Sequence, residues 1–360
     1  MKAAVLRAYH TPLAIEEVEL DDPGPREVRV RTVATGVCHS DLHCVEGALP
    51  VPPPSVLGHE PAGIVEAVGS EVSHVKPGDH VIGCLSAFCG TCAYCLRGEP
   101  NLCGGSATTR PADAAPRISK GGERIHQFAH LSAFAEEMLV HENAIVKIRE
   151  DMPLEQAALI GCGVTTGLGA VLNTAGVRPG DSCVVIGCGG VGLAAVQGCR
   201  IAGASRIIAV DTVGWKLELA AQLGATDGID ASKEDAVVKL LGATGGGVDY
   251  SFECIGTKAT VAQSAAMIRK GGTCVLVGVV PIGQTVEFQG LDLVLQGKRI
   301  VGSMMGSNRF RLDMPRFVDF YLDGRLKLDE MISTRLGLDA VNTAFEKMKA
   351  GLVARSVITF

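Results

Sequence analysis

A single glycine-rich turn constrains the fold of this chain more than any other feature of its sequence. The turn reads Gly187-Cys-Gly-Gly-Val-Gly192, which is the pattern G-x-G-x-x-G. An apolar stretch at residues 183–186 leads into it, and an amphipathic segment at residues 191–202 leads out of it. Such glycines let a chain turn tightly from a strand into a helix and let a pyrophosphate approach the positive end of that helix. The context predicts a dinucleotide-binding βαβ unit, with a glycine-rich turn that binds no nucleotide as the alternative.

The next predicted strand carries the residue expected to select the coenzyme. Residues 206–211 are largely apolar and end at Asp211, about 20 residues after the last glycine of the turn. A carboxylate there accepts hydrogen bonds from the adenosine ribose and repels a 2′-phosphate, so the pattern favours NAD over NADP. Lys216 is a further candidate for the ribose, with a solvated surface lysine as the alternative. The sequence thus assigns the nucleotide to Gly187, Gly189, Gly190, Val191, Gly192 and Asp211.

Four closely spaced cysteines form a second motif. Two residues separate each of the first three, so all four sulfurs can converge on one tetrahedral ion. Four sulfur ligands leave no open position for a substrate, so we expect a structural zinc site, with an iron–sulfur cluster as the rival interpretation. The ligands of this site are Cys89, Cys92, Cys95 and Cys103.

The cysteine count, the N-terminus and the charge indicate the compartment and the partners. The chain has 13 cysteines, an odd number, and residues 1–7 have no apolar core followed by a cleavage site. Clustered cysteines without a secretory signal favour metal binding over disulfides, so we expect a cytoplasmic protein. The net charge of −6 argues against nucleic acid or anionic membranes as partners. The longest uncharged run, residues 182–199, contains the clustered glycines and is therefore not expected to span a membrane.

The length of 360 residues exceeds what a single hydrophobic core usually supports, so we expect two domains. Residues 1–163 contain short β-branched stretches between Pro/Gly turns, which predicts a β-rich, barrel-like domain. In residues 164–304 apolar strands alternate with helices, which predicts an α/β domain with a doubly wound parallel sheet. Residues 305–360 are too short to form a core of their own and are expected to fold onto the first domain. Residues 104–122 are expected to form a surface loop.

Three separated segments carry the remaining chemistry. They read Gly36-Val-Cys-His-Ser-Asp-Leu-His43, Gly58-His-Glu60 and Gly161-Cys-Gly163. Two cysteines and one histidine can hold a zinc ion and leave its fourth position to water or an alcohol oxygen, whose pKa the metal lowers. Each segment by itself fits core packing, but together with a nucleotide turn they favour a catalytic zinc site.

The order of these motifs resembles the zinc-containing medium-chain alcohol dehydrogenase family. The segments GVCHSDLH, GHE, the four cysteines, GCGVTTG and GCGGVG follow one another, and the similarity extends to the C-terminal RSVITF. The resemblance implies a GroES-like catalytic domain, residues 1–163 and 305–360, interrupted by a Rossmann domain, residues 164–304, with the active site in the cleft between them. It also implies hydride transfer between an alcohol and NAD, two zinc ions per chain, and a homodimer or homotetramer.

The resemblance assigns the metal ligands and their surroundings. Cys38, His59 and Cys162 match the ligands of the catalytic zinc, and the four clustered cysteines match the structural zinc lobe, at about residues 84–106 of this chain. Asp41 matches a carboxylate that orients His59. Glu60 matches a residue close to the metal that joins it during ligand exchange.

The resemblance also assigns the proton path and the contacts with the coenzyme. Ser40 matches the hydroxyl that takes the substrate proton, and His43 matches the base that passes this proton to water. His39 occupies a position often held by arginine, so its neutral ring should hold the pyrophosphate more loosely. The implied coenzyme contacts outside the glycine turn are His39, Thr166, Val279 and Arg355.

By position within the family, six apolar residues line the substrate pocket. They are Leu49, Leu85, Phe128, Ala129, Val279 and Met304. An apolar lining predicts an alcohol with an apolar carbon skeleton. Ser40 and Ala129 are small, which suggests room for aryl, branched or medium-chain primary alcohols, unless other side chains fill that space.

Two other functions remain open on the sequence. The first is a glutathione-dependent formaldehyde dehydrogenase, in which basic residues grip the glutathione carboxylates; Arg110, Arg117 and Lys120 lie in the corresponding region. The second is a non-catalytic protein that binds zinc and NAD as a sensor. Ser40 and His43 argue against the sensor, because a binding protein needs no proton relay.

Overall fold

The structure is a computed structural model, which describes residues 1–360 apart from Ser106. The described chain divides into two compact units. The first unit contains Met1–Cys162, Arg309–Gly324 and Ile332–Phe360. The second contains Gly163–Asn308 and Arg325–Met331.

The first unit is built mainly from antiparallel sheet. Its strands are β1 (Lys2–Leu6), β2 (Ala14–Glu17), β3 (Glu19–Leu20), β4 (Glu27–Val37), β5 (Ser55–Val56), β6 (Pro61–Val68), β7 (His80–Gly83), β8 (Ile118–Lys120), β9 (Glu123–Gln127), β10 (Glu137–His141) and β11 (Ile145–Lys147), with two further strands near the C-terminus described below. Its helices before the second unit are α1 (His39–Val45), α2 (Ala93–Leu96) and α3 (Leu154–Leu159).

The second unit is an α/β domain. Its strands are β12 (Ser182–Ile186), β13 (Arg206–Asp211), β14 (Asp227–Asp230), β15 (Val248–Glu253), β16 (Ile268–Leu276) and β17 (Arg299–Gly302). Its helices are α4 (Thr165–Gly169), α5 (Gly190–Ala202), α6 (Gly214–Leu223), α7 (Ala236–Thr244), α8 (Lys258–Met267) and α9 (Gly290–Gln296). The chain then returns to the first unit with α10 (Phe310–Leu322), β18 (Ile332–Gly337), α11 (Val341–Lys349) and β19 (Arg355–Thr359).

The long strand β4 organises the first unit. In one sheet the strand order is β11-β7-β6-β4-β19-β18, and β10 also pairs with β4. The other sheet has the order β2-β1-β5-β9-β8-β3. Val28, Val30 and Val65 face a buried cluster because alternate residues of a strand point to the same side. The C-terminal strand β19 pairs with the end of β4, with Ser356 opposite Val37, directly before Cys38.

The second unit has a six-stranded parallel sheet in the order β14-β13-β12-β15-β16-β17. Its central strands are buried on both faces, which explains their nearly continuous apolar sequence. The strand order reverses between β12 and β15, and ligands of such sheets bind outside the carboxyl ends of the strands at that point. The predicted fold class, a β-rich domain with a doubly wound parallel sheet, is confirmed.

Three segments differ from the expectations. Residues 118–120, expected within a surface loop, form β8, because Ile118 is buried and pairs with Ile125 of β9. Residues 305–308 and 325–331, expected in the first domain, belong to the second unit. Gln197 on α5 holds residues 325–331 to the second unit. Its Oε1 accepts the N–H of Lys327 (2.7 Å), and its Nε2 donates to the Lys327 carbonyl (2.9 Å).

One helical stretch, Leu154–Ala175, is long and apolar enough to cross a membrane. Of its apolar window 83% is buried in the structure, which is the burial of a core helix in a soluble protein. By this criterion no other such helix occurs among the described residues.

Candidate active site

Four side chains from three segments of the first unit meet at one buried point. Cys38 follows β4 and precedes α1, and His59 and Glu60 precede β6. Cys162 lies in the π-helical turn Ile160–Val164, which follows α3. Their ligand atoms all lie within 4.8 Å of one another. A π-helical turn inside a helix is frequently found at functional sites.

Asp41 fixes the orientation of His59. Its Oδ1 accepts a hydrogen bond from His59 Nδ1 at 2.9 Å and another from the Gly58 N–H at 3.1 Å. Its Oδ2 accepts the N–H of Cys38 at 3.1 Å. The Phe128 ring packs against the imidazole in a T-shaped arrangement, with ring centroids 5.4 Å apart. His59 Nε2 is left buried without a hydrogen-bond partner among the described residues.

The charges of the cluster are coupled. A hydrogen bond from Cys162, acting against burial, lowers the pKa of the Cys38 thiol well below its usual value, with help from His59 and Arg355. Burial opposes protonation of His59, but Asp41 and Cys38 raise the pKa of its ring to about 10. Cys162 keeps its proton, because the hydrogen bond to Cys38 and burial raise its pKa well above the usual value. Metal binding here would therefore release protons from Cys162 and His59.

These residues fit a zinc ion. Two sulfurs and one imidazole nitrogen are the donor set of a catalytic zinc site with one open position. A buried Nε2 without a partner is costly, and a metal ion that replaces its proton would provide that partner. Cys38, His59 and Cys162 are thus the residues that would hold the metal, with Glu60 beside them. Glu60 Oε1 is also buried and without a partner among the described residues.

Glu60 and Arg355 form a buried ion pair that the sequence did not suggest. A guanidinium Nη2 of Arg355 donates to Glu60 Oε2, and both side chains are buried. Gly36 makes this possible, because a Cβ at that position would lie 1.9 Å from Glu60 Oε2. The expected pyrophosphate residue Arg355 thus has Glu60 as its partner, while its Nε has none among the described residues.

Helix α1 carries the residues expected to move the proton. Ser40 lies near the metal cluster, since its Oγ is 3.8 Å from the Sγ of Cys38. Ser40 and His43 are three residues apart and therefore lie on neighbouring positions of one helical face. The rings of His39 and His43 have centroids 6.5 Å apart, and His39 is exposed.

The four clustered cysteines also converge. Their sulfurs lie within 4.8 Å of one another. Backbone N–H groups donate to them: Cys92 N–H to Cys89 Sγ (3.3 Å) and Cys89 N–H to Cys103 Sγ (3.2 Å). The N–H of Thr91 lowers the pKa of the Cys89 thiol to about 6, whereas burial raises that of Cys95 to about 12. Four converging sulfurs with backbone donors fit a closed tetrahedral metal site.

The glycine turn lies at the carboxyl end of β12. Gly187 has a φ of +92°, and a Cβ on Gly192 would lie 1.7 Å from the Gly187 carbonyl oxygen. Gly189 directly precedes α5, and a Cβ at this position would have no heavy atom of another part of the protein within 4 Å. Asp211 accepts the N–H groups of Cys188 (2.7 Å) and Val213 (3.0 Å), which fix its carboxylate beside the turn. This open cradle fits a dinucleotide.

The remaining candidates are spread over both units. In the second unit, Thr166 Oγ1 lies 3.3 Å from Met305 Sδ, and the Lys216 ammonium lies 5.8 Å from the centroid of the Trp215 ring. Of the predicted pocket residues, Phe128 contacts the metal cluster through His59. Leu49, Leu85, Phe128 and Ala129 belong to the first unit, and Val279 and Met304 to the second.

Comparison with known proteins identifies the family of this chain. Residues 24–150 match the family model of the alcohol dehydrogenase GroES-like domain, and residues 190–322 match that of zinc-binding dehydrogenases. An alcohol dehydrogenase zinc-binding domain protein from Burkholderia ambifaria is 38% identical to this chain and superposes with a TM-score of 0.96. The match covers 100% of this chain and 98% of the Burkholderia chain. The benzyl alcohol dehydrogenase of Acinetobacter calcoaceticus is 34% identical over 100% and 99% of the two chains, with a TM-score of 0.94.

A zinc-binding dehydrogenase from Sinorhizobium meliloti 1021, solved with bound NADP, is 30% identical over 100% of this chain and 99% of its own, with a TM-score of 0.83. The protein is thus an oxidoreductase of the zinc-binding dehydrogenase class. Within that class, the chain belongs to the zinc-containing medium-chain alcohol dehydrogenase family, with a GroES-like and a Rossmann domain. The predicted family is confirmed.

Proposed function

We propose that this protein oxidises primary alcohols with an apolar aryl, branched or medium-length chain, and passes the hydride to NAD. The products are the aldehyde, NADH and a proton. The observation that carries the proposal is the buried Nε2 of His59, left without a partner beside Cys38 and Cys162 and held in place by Asp41. Zinc bound there would supply a Lewis acid that lowers the pKa of an alcohol hydroxyl. We propose a second zinc at the four clustered cysteines.

The substrate class rests on the apolar residues near the cluster. Phe128 packs on His59, and Ala129 leaves the neighbouring position small. The benzyl alcohol dehydrogenase with 34% identity supports an aryl substrate. The glutathione alternative loses support, because Arg110 and Arg117 both pair with Glu27, and Lys120 pairs with Glu16. Those cations are engaged within the protein.

The experiment measures initial rates of NADH formation over a series of primary alcohols. Each buried methylene should strengthen binding by about 0.8 kcal/mol, roughly a fourfold effect, so kcat/KM should rise steeply from ethanol to benzyl or medium-chain alcohols. A second arm uses formaldehyde with glutathione. If ethanol is the best substrate, the pocket assignment fails; if only the glutathione adduct reacts, the alternative function is correct.

We further propose that Ser40 and His43 carry the alcohol proton to water. Ser40 lies close to Cys38 and takes the alcohol proton while its own hydroxyl proton moves on towards His43, the base farther along the same helix. His43→Gln should therefore slow alcohol oxidation by about tenfold or more near neutral pH and by much less at high pH, where hydroxide replaces the base. His39→Gln on the same helix is the control and should leave the shape of the pH–rate profile unchanged. An unaltered profile in His43→Gln would mean that the proton leaves by another route.

Asp211 is proposed to select NAD over NADP. Its carboxylate is held by two backbone N–H groups, so its charge faces the site of the ribose in a fixed orientation. Asp211→Asn removes the charge but keeps one acceptor oxygen, and should raise the ratio of kcat/KM for NADP to that for NAD by about 10- to 100-fold. Asp230→Asn, at the end of the neighbouring strand β14, should leave this ratio unchanged. A wild type that already prefers NADP would contradict the role of Asp211.

A homodimer is proposed from the exposed surface of the second unit. Helix α9 has no buried residue, and the side chains of Leu291, Val294 and Leu295 are more than two-thirds exposed. Strand β17, last in the order of the sheet, lies next to α9 in the chain. An apolar surface beside a strand edge suits a second copy related by a two-fold axis. Sedimentation velocity should give the mass of two 37.4 kDa chains, while a monomer mass would contradict the dimer.

A further inference from the structure

Glu253 lies at a position where its side chain can influence the coenzyme site. It is the last residue of β15 and pairs in register with Ile186, the last residue of β12 before the glycine turn. The reversal of strand order falls between these two strands. The side chain is fully buried, so it does not act on a ligand from the surface.

The carboxyl group of Glu253 ties the following loop together. Its Oε1 accepts the N–H groups of Ile255 (3.0 Å) and Gly256 (2.9 Å) and the hydroxyl of Thr260 (2.8 Å). Its backbone carbonyl accepts the N–H groups of Val277 (2.9 Å) and Gly278 (2.8 Å). A single residue therefore links the loop after β15 to the loop after β16.

These two loops pack closely against each other and against the glycine turn. A Cβ on Gly278 would lie 2.2 Å from Gly256 N and 2.7 Å from Glu253 Oε2. A Cβ on Gly187 would lie 2.5 Å from the side chain of Ile255. A shift of residues 254–256 would thus displace both the loop after β16 and the first glycine of the nucleotide turn.

The other carboxyl oxygen, Oε2, gives a second, independent observation. It is buried and has no hydrogen-bond partner among the described residues. A half-bonded buried carboxyl group costs stability compared with an apolar side chain of similar size. A buried polar atom without a partner in a native structure calls for an explanation, and a role in the functional site is one such explanation.

We propose that Glu253 is a positioning residue for the nicotinamide coenzyme. It holds residues 254–256 against Gly187 and Gly278 and thereby sets the affinity for the coenzyme without contacting it. The inference rests on the proposed use of NAD. The two can be separated, because a wild type that binds no NADH refutes the proposed coenzyme, whereas normal NADH binding by Glu253→Ala refutes only the role of Glu253.

The test is a fluorescence titration of the metal-loaded protein with NADH. Glu253→Ala should raise the dissociation constant of NADH by about tenfold or more, since three hydrogen bonds that order the loop are lost. Glu253→Gln keeps the acceptor oxygen and should restore the constant to within about threefold of wild type. In steady-state assays the KM for coenzyme should rise in Glu253→Ala, while kcat and the KM for alcohol at saturating coenzyme should change by less than about twofold.

Ser264→Ala is the matched control. Ser264 lies on α8, and its buried hydroxyl donates a hydrogen bond to Ser251 Oγ at 2.9 Å. Ser251 lies on β15, the strand that ends at Glu253, but outside the loop of residues 254–256. This variant should lower the melting temperature but leave NADH affinity unchanged. If Glu253→Ala does not fold, Thr260→Val, which removes one of the three donors, should still weaken NADH binding by about threefold. NADH affinity within twofold of wild type in Glu253→Ala or Thr260→Val, or weakened equally by Ser264→Ala, would overturn the proposal.

Discussion

Replacement of Cys162 by alanine should abolish alcohol oxidation, with kcat/KM reduced on the order of 10³-fold or more, because a metal centre supplies several kcal/mol of stabilisation to the reaction. The variant leaves only Cys38 and His59 as ligands, in a cluster whose charges depend on the thiol of Cys162. NADH binding should persist, since the glycine turn belongs to the other unit. Metal analysis should show one zinc per chain in the variant and two in the wild type.

Cys84→Ala provides the matched control for this experiment. Cys84 is a fully buried thiol of the same unit, and burial raises its pKa to about 12. It belongs to neither group of converging metal ligands. Removal of the Cys84 thiol leaves a cavity similar to that in Cys162→Ala and should lower the melting temperature. Zinc content and turnover should stay close to wild type. Full activity in Cys162→Ala, or an equal loss in Cys84→Ala, would contradict the proposed site.

The sequence predicted the central strands β12 and β13 of the second unit well because these strands are buried on both faces. Residues 183–186 and 206–211 are apolar runs bounded by turn residues, and in the structure they lie in β12 and β13. Strand β8 could not be anticipated, because its three residues follow a stretch of small residues and gain their order from pairing with β9. The segment at residues 325–331 depends on a contact between Lys327 and Gln197, 130 positions apart. Local patterns carry no information on such a contact.

The candidate site likewise combines features that local sequence patterns reveal with contacts between residues far apart in the chain. Cysteine and histidine are rare ligand types, so their spacing in motifs indicates a metal directly. The pair of Glu60 and Arg355 joins residues 295 positions apart, and Gly36 matters only because it leaves room for that pair. Arg110 and Arg117 show that residue type alone does not reveal the partner of a charged side chain. Their charges suggested a grip on an anionic substrate, but Glu27 engages both of them.

The four-cysteine lobe should prove to be held together by metal rather than by packing. Helix α2 and the helical turn Pro100–Leu102 contain no buried residue, and Leu96 is 76% exposed. A segment without an apolar core cannot offset the entropy of ordering its chain unless another interaction does so. Zinc at converging thiolates supplies that energy, and structural zinc sites commonly unfold without metal.

Cys95→Ala should therefore unfold the lobe and lower the melting temperature by at least about 5 °C. The sharper measurement is limited trypsin digestion, because Arg97 lies within the lobe and is exposed. Cleavage after Arg97 should be fast in Cys95→Ala and in chelator-treated wild type, and slow in the zinc-loaded protein. Cys44→Ala, a buried thiol of the same unit outside both clusters, should resist cleavage like wild type. Resistance in Cys95→Ala would show that packing orders the lobe, and iron in place of zinc would favour the iron–sulfur alternative.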